Sequence, residues 1–173
     1  YNNDLLMYDR NTNSLWSQME GRAISGPLKG ARLERLPVEH TTWRTWRERH
    51  PSTLVLSGDT GFYRNYGASP YPAYNKSRRI LFPLSNYDKR YHPKEMVIGV
   101  EFRNVSKAYP FAELARGKTP FTDTVNGEVL SIEYNAESRS ARVIAAVTAY
   151  WFAWMAFHPN SEVYIFEDSR AAE

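Results

Sequence analysis

The chain has 173 residues, 42% of them hydrophobic, with 22 Lys and Arg against 19 Asp and Glu for a formal charge of +3. A chain of this size can bury about 70% of its unfolded surface, enough for one compact domain or two small intertwined units. It contains no Cys, which excludes disulfides, thiolate metal sites and a Cys nucleophile within these residues. The mild, dispersed charge makes no case for nucleic acid, and no apolar run reaches the roughly 20 residues of a membrane-spanning helix. The opening at Tyr1, without Met, leads us to expect a processed or trimmed N-terminus.

Leu5 to Tyr8 and Leu15 to Met19 read as strands around a turn of Asp, Asn and Ser residues from Asp9 to Ser14. Arg22 to Ser25, between two glycines, reads as a short strand, and Ala31 to Leu36 as another. Thr41 or Thr42 can cap a helix carrying Trp43, Trp46 and His50 at i, i+3 and i+7, one face of a helix. Pro51 disfavours the α conformation at His50 and stops that helix, and Thr53 to Leu56 can follow as a strand. Residues 58–93 carry many Gly, Pro, Tyr and Arg residues and little periodicity, as expected of a long connecting loop that covers or binds something. Strands are then expected over Met96 to Phe102, Lys107 to Pro110, Glu128 to Tyr134 and Ala141 to Val147, with a helical turn within Phe111 to Arg116. An uncharged helix from Ala149 to Phe157 and a strand from Val163 to Phe166 complete the series.

The helices share a motif. Trp43 and Trp151, Trp46 and Trp154, His50 and His158, and Pro51 and Pro159 each lie 108 positions apart, so four of the five Trp and two of the four His belong to one repeated pattern. Fixed-period self-similarity signifies a duplicated unit. The fold expected is therefore α+β and mainly antiparallel β. Residues 1–57 form a first unit and 94–173 a second, each ending in a short Trp-x-x-Trp helix followed by a strand. The second helix has no charged face, so it must be buried all round or meet a partner through Trp151, Phe152 and Met155.

Several stretches resemble a bacterial family catalogued as domain of unknown function 3179. They are Leu6-Met7-Tyr8-Asp9-Arg10 with Ser14-Leu15-Trp16-Ser17-Gln18, Gly21-Arg22-Ala23-Ile24, Thr42-Trp43 with Trp46, His50 and Pro51, Asp59-Thr60-Gly61 with Arg64, Tyr66 and Gly67, Lys107-Ala108-Tyr109-Pro110, and the second Trp helix. The resemblance implies an exported or membrane-anchored protein and no assigned activity. Members of that family usually carry an upstream segment with a Tyr-Cys-Pro-like motif, which these residues lack. Its absence is expected to leave an apolar surface open over the second helix.

The candidate chemistry is sparse. His50 and His158 suit metal ligation or general-base work, but their duplicated position at a helix end favours a structural role. No His-Glu-x-x-His, phosphate loop or Gly-x-Ser-x-Gly elbow occurs, so no catalytic, cofactor or metal residues are assigned. Asp9 and Arg10 could form a polar site, although a turn-forming Asp is the commoner role. Tyr63, Arg64, Tyr66, Tyr71 and Tyr74 are the ligand-facing candidates, because Tyr and Arg together favour glycans, anions and protein surfaces. The leading expectation is a non-catalytic extracytoplasmic, periplasmic module bound to another protein or larger assembly. One alternative is an enzyme or redox or metal protein whose reactive residues lie upstream of Tyr1. A weaker one is glycan binding.

Overall fold

The structure, a computed structural model, describes residues 1–34, 36, 39–143 and 146–167. Eleven strands are described, in three sheets. The first sheet holds β1 (Leu6–Asp9), β2 (Ser14–Ser17) and β3 (Arg22–Ser25) in that order. After β4 (Glu39–His40) and α1 (Trp43–Arg49) comes the long segment 50–95, whose one regular element is a 3-10 turn at Tyr74–Lys76. Then follow β5 (Met96–Phe102), β6 (Val105–Pro110), α2 (Phe111–Leu114), β7 (Phe121–Val125), β8 (Glu128–Asn135) and β9 (Ser140–Arg142). Last are β10 (Ala146–Tyr150), α3 (Trp151–Phe157) and β11 (Glu162–Val163).

The second sheet runs β10-β5-β6-β11 and the third β4-β9-β8-β7. All pairs are antiparallel except β11 with β6. The chain is thus α+β and mainly antiparallel β, as its sequence pattern predicts.

The hairpin β5–β6 is the structural centre because it is buried on both faces. Side chains alternate along a strand. Ile98, Val100 and Tyr109 enter one apolar cluster with Phe111, Leu114, Val125, Ile132 and Tyr134, between the second and third sheets. Val97 and Ala108 point the other way, into a cluster with Trp151, Trp154 and Met155 of α3 and with Met19. Burial on both sides explains the continuous apolar run Met96-Val97-Ile98-Gly99-Val100.

Several sequence expectations are refined. Ala149 and Tyr150 extend β10 rather than begin the helix. The strand expected over Thr53 to Leu56 does not form, and Leu54 and Leu56 are 95% and 97% exposed. The expected strand from Ala31 is reduced to a single bridge between Arg22 and Arg32, and its Arg35 lies outside the described residues, as do residues 144 and 145 of the stretch preceding β10. Strand β7 was not anticipated. It exists because Val125-Asn126-Gly127-Glu128 makes a hairpin turn, with φ of 49° at Asn126 and 82° at Gly127.

Candidate functional site

The two Trp helices are the same device built twice. Each has seven residues. The cap residues His50 and His158 have φ, ψ of −129°, 67° and −126°, 64°, outside the helical region as the following proline requires. Their backbone N–H groups donate to the carbonyls of Trp46 and Trp154. Their rings lie against the same tryptophans, with centroids 4.1 Å and 4.0 Å apart. The indole Nε1 of Trp46 donates to Thr53 Oγ1 at 3.0 Å, and that of Trp154 to Ser161 Oγ at 2.9 Å. Thr53 and Ser161 are also 108 positions apart, so the motif extends two residues further than the spacing of Trp, His and Pro reveals. Both histidines therefore serve as helix stops that stack on an indole, and His158 Nδ1 also lies 3.1 Å from Ser106 Oγ.

A second duplication is visible only in the structure. The β1–β2 and β8–β9 hairpins both enclose four residues between a paired Asx and Ser, Asp9 with Ser14 and Asn135 with Ser140. The last loop residue has positive φ in each, 56° at Asn13 and 47° at Arg139. Thr12 and Ser14 hydroxyls meet at 2.7 Å, as do those of Ser138 and Ser140. Asp9 Oδ1 accepts from Asn11 N and Asn135 Oδ1 from Ser138 N, both at 2.9 Å. The Thr12 hydroxyl and the Asn11 amide hold the Asp9 carboxyl below its ordinary range. Asp9 is thus a turn former, and Arg10 is exposed beside it.

Surroundings distinguish the two helices. Trp151 to Ala156 are buried, and the first two N–H groups of α3 donate to the carbonyls of Glu95 and Pro93 at 2.7 Å and 3.2 Å. Of the two roles the sequence left open for Trp151, Phe152 and Met155, burial or a partner contact, the structure places all three in the interior. In α1 no residue is buried, and Trp43 is 51% exposed. The open apolar surface expected over the second helix is found at the first instead. An amphipathic pattern shows which face is apolar, not whether anything covers it.

A cleft of about 1000 Å³ lies where residues 3–5 and 18–19, β4, the 74–75 turn, residues 92–96, the β8–β9 loop and β10 approach one another. Three of its charged groups, Asp4, Lys94 and Glu95, are engaged within the protein. Lys94, buried, donates to the Arg79 carbonyl at 2.9 Å and sits 4.0 Å and 4.5 Å over the rings of Tyr74 and Phe152. Glu95 Oε1 accepts from Ala112 N at 2.8 Å, and Asp4 Oδ2 from Met19 N at 3.1 Å. Burial, with the Arg139 charge, lowers the His40 imidazole below its usual value. Of the sequence candidates, Tyr74 and Phe152 line this cleft. Tyr71 stands 6.0 Å from Tyr74, which stands 6.2 Å from Tyr150. Tyr63, Arg64 and Tyr66 are exposed and apart from the cleft lining. Sequence reading missed His40, Lys94 and Arg139, which come from short pieces far apart in the chain and share no spacing.

Among the described residues no group of three or more His, Asp or Glu could hold a metal ion, and no helix is long and apolar enough to cross a membrane. The family profile described as protein of unknown function (DUF3179) matches residues 1–147. The chain belongs to that family. No curated protein and no solved structure matches it.

Proposed function

We propose that the protein is a non-catalytic binding module acting outside the cytoplasm, as a subunit or assembly partner of a larger complex. The observation that carries this reading is the segment 58–71. Phe62, Tyr63, Tyr66 and Tyr71 are all exposed there, with Arg64 among them. Exposed aromatic clusters with Arg are the composition of interaction hot spots. The segment also has built-in order. The Tyr66 hydroxyl and Thr60 Oγ1 lie 2.9 Å apart, and the side chains of Ser57, Asn65 and Ser69 accept from backbone amides two residues on. A pre-ordered surface loses less entropy on binding. The cleft supports the non-catalytic part, because its Lys94, Glu95 and Asp4 are held by rings, a carbonyl and backbone amides. The extracytoplasmic setting is supported by the resemblance to exported proteins.

Photo-crosslinking from position 63 or 66 in the native host tests the reading, with exposed Val129 as the control position. A discrete heavier species from 63 or 66 alone is expected. A lone monomer from every position overturns it, and cell fractionation tests the compartment. A second reading, glycan binding, is favoured by the ring series Tyr71, Tyr74 and Tyr150 beside the cleft. A Tyr71→Ala variant with unchanged glycan affinity removes it.

A further inference from the structure

Three features of the N-terminal Trp helix differ from its C-terminal counterpart, and one missing element accounts for all of them. In the C-terminal copy, β10 leads into α3 and pairs along its length with β5. The residues after α3 form β11, parallel to β6, and Tyr164 N adds a bond to the Ala108 carbonyl at 2.9 Å. The hairpin β5–β6 therefore lies between the strand that enters the helix and the strand that leaves it, in the order β10-β5-β6-β11. It also forms the floor under the helix. A Cβ built on Gly99 would stand 2.0 Å from Cζ3 of Trp154, so the indole lies directly on the strand backbone.

In the N-terminal copy the strand entering the helix is β4, which like β10 ends its sheet, but its one neighbour is β9, and among the described residues no hairpin pairs with its other edge to floor the helix as β5–β6 does for α3. The residues leaving the helix, Leu54-Val55-Leu56, occupy the positions of Glu162-Val163-Tyr164 and are exposed and unpaired. Trp43, at the position of fully buried Trp151, is half exposed. An open strand edge, an unpaired apolar tripeptide and a bare indole are what remain when a β5–β6 equivalent is taken away. Arg44, Glu48 and Arg49 replace Phe152, Ala156 and Phe157 on the rest of α1, so that helix is built to be covered on one face and wet on the other.

We propose that this face receives a β-hairpin of the same polypeptide from the N-terminal side of Tyr1. Its first strand adds antiparallel to β4. Its second strand runs parallel to Leu54–Leu56. A glycine of the first strand lies under Trp46, as Gly99 lies under Trp154. The order of elements selects this source. The β1–β2 hairpin matches β8–β9, and the C-terminal β5–β6 precedes β8–β9, so the N-terminal counterpart precedes β1. The proposal does not depend on the partner surface at 58–71, which is a different part of the chain.

Hydrogen exchange on the complete polypeptide encoded by the gene tests it, with two internal references. Residues 39–42 and 53–57 are expected to exchange as slowly as 162–164, about 100-fold or more below residues 62–66. The slowing is expected to be independent of protein concentration. Leu54→Asp with Leu56→Asp is expected to speed exchange at 39–42, because the shared hairpin is lost. Exchange at 53–57 as fast as at 62–66 overturns the proposal. So does slowing that requires high concentration, which assigns the face to a second copy, or slowing that requires another protein.

Discussion

The Trp154 indole rests on the Gly99 backbone so closely that a Cβ there would stand 2.0 Å from Cζ3 and 2.1 Å from Cε3. Neither group can yield, because Trp154 is 1% exposed and Gly99 is mid-strand. Gly99→Ala should cost about 3 kcal/mol or more, at the upper end of overpacking effects. Gly67→Ala, where a Cβ would meet only Asn65 Oδ1 at 3.5 Å, should stay within about 0.5 kcal/mol. Denaturant unfolding of the two variants measures both.

The hydroxyls beneath the indoles should differ in value. Ser161→Ala leaves the Trp154 N–H buried without an acceptor, a loss of about 1–3 kcal/mol. Thr53→Ala removes the same bond from half-buried Trp46, where water substitutes, so a smaller loss is expected. Ser161→Thr, which copies the N-terminal copy's chemistry, should retain most of the stability. Thermal melts of the three variants provide the comparison.

Tyr91 predicts alkaline sensitivity. Burial, then the hydrogen bond to the Glu113 carboxylate at 3.1 Å, pushes its phenol from 10.0 up to about 12. The folded state thus holds this proton more tightly than the unfolded chain does. Its stabilising contribution is complete below pH 10 and is lost as pH rises from 10 towards about 12. Tyr91→Phe should make stability fall less steeply across that window. The remainder includes Tyr109, which burial and Asp123 also raise.

His40 has the opposite sign. Burial, then Arg139, favours its neutral form in the folded state. Its contribution is complete above the ordinary value near 6.5 and diminishes as pH falls below it. Arg139→Gln should move the His40 midpoint upward in an NMR titration and soften the acid dependence of stability.

Tyr63→Ala and Tyr66→Ala should leave thermal stability nearly unchanged, since both rings face water. Together they should weaken association with the partner by tenfold or more if the segment is the contact surface, on the order of 1.4 kcal/mol. Quantified crosslinking yield or a binding titration with the captured partner measures this.

The repeated helices were legible because Trp, His and Pro kept their identities at fixed intervals. Pro51 and Pro159 announced the stops, and the hydroxyls at Thr53 and Ser161 were equally readable, although the eye seeks identical letters. The matching hairpin stayed hidden because Asn135 stands where the other has Asp9, and Ser138 where it has Thr12. Those changes preserve hydrogen bonding but not identity, and the interval lengthened from 108 to 126 residues. The cleft was illegible for another reason. His40, Lys94 and Arg139 meet through long-range pairing such as β4 with β9, which no local periodicity encodes.

That pairing has a further consequence. Glu39 and His40 align with Arg142 and Ala141, so a strand from the N-terminal repeat seals the margin of a sheet otherwise made by the C-terminal one. The N-terminal and C-terminal parts of the chain thus share one sheet. A C-terminal fragment produced without β4 would expose a sticky β9 border and tend to self-associate, so neither part of the chain is expected to behave well when severed from the other.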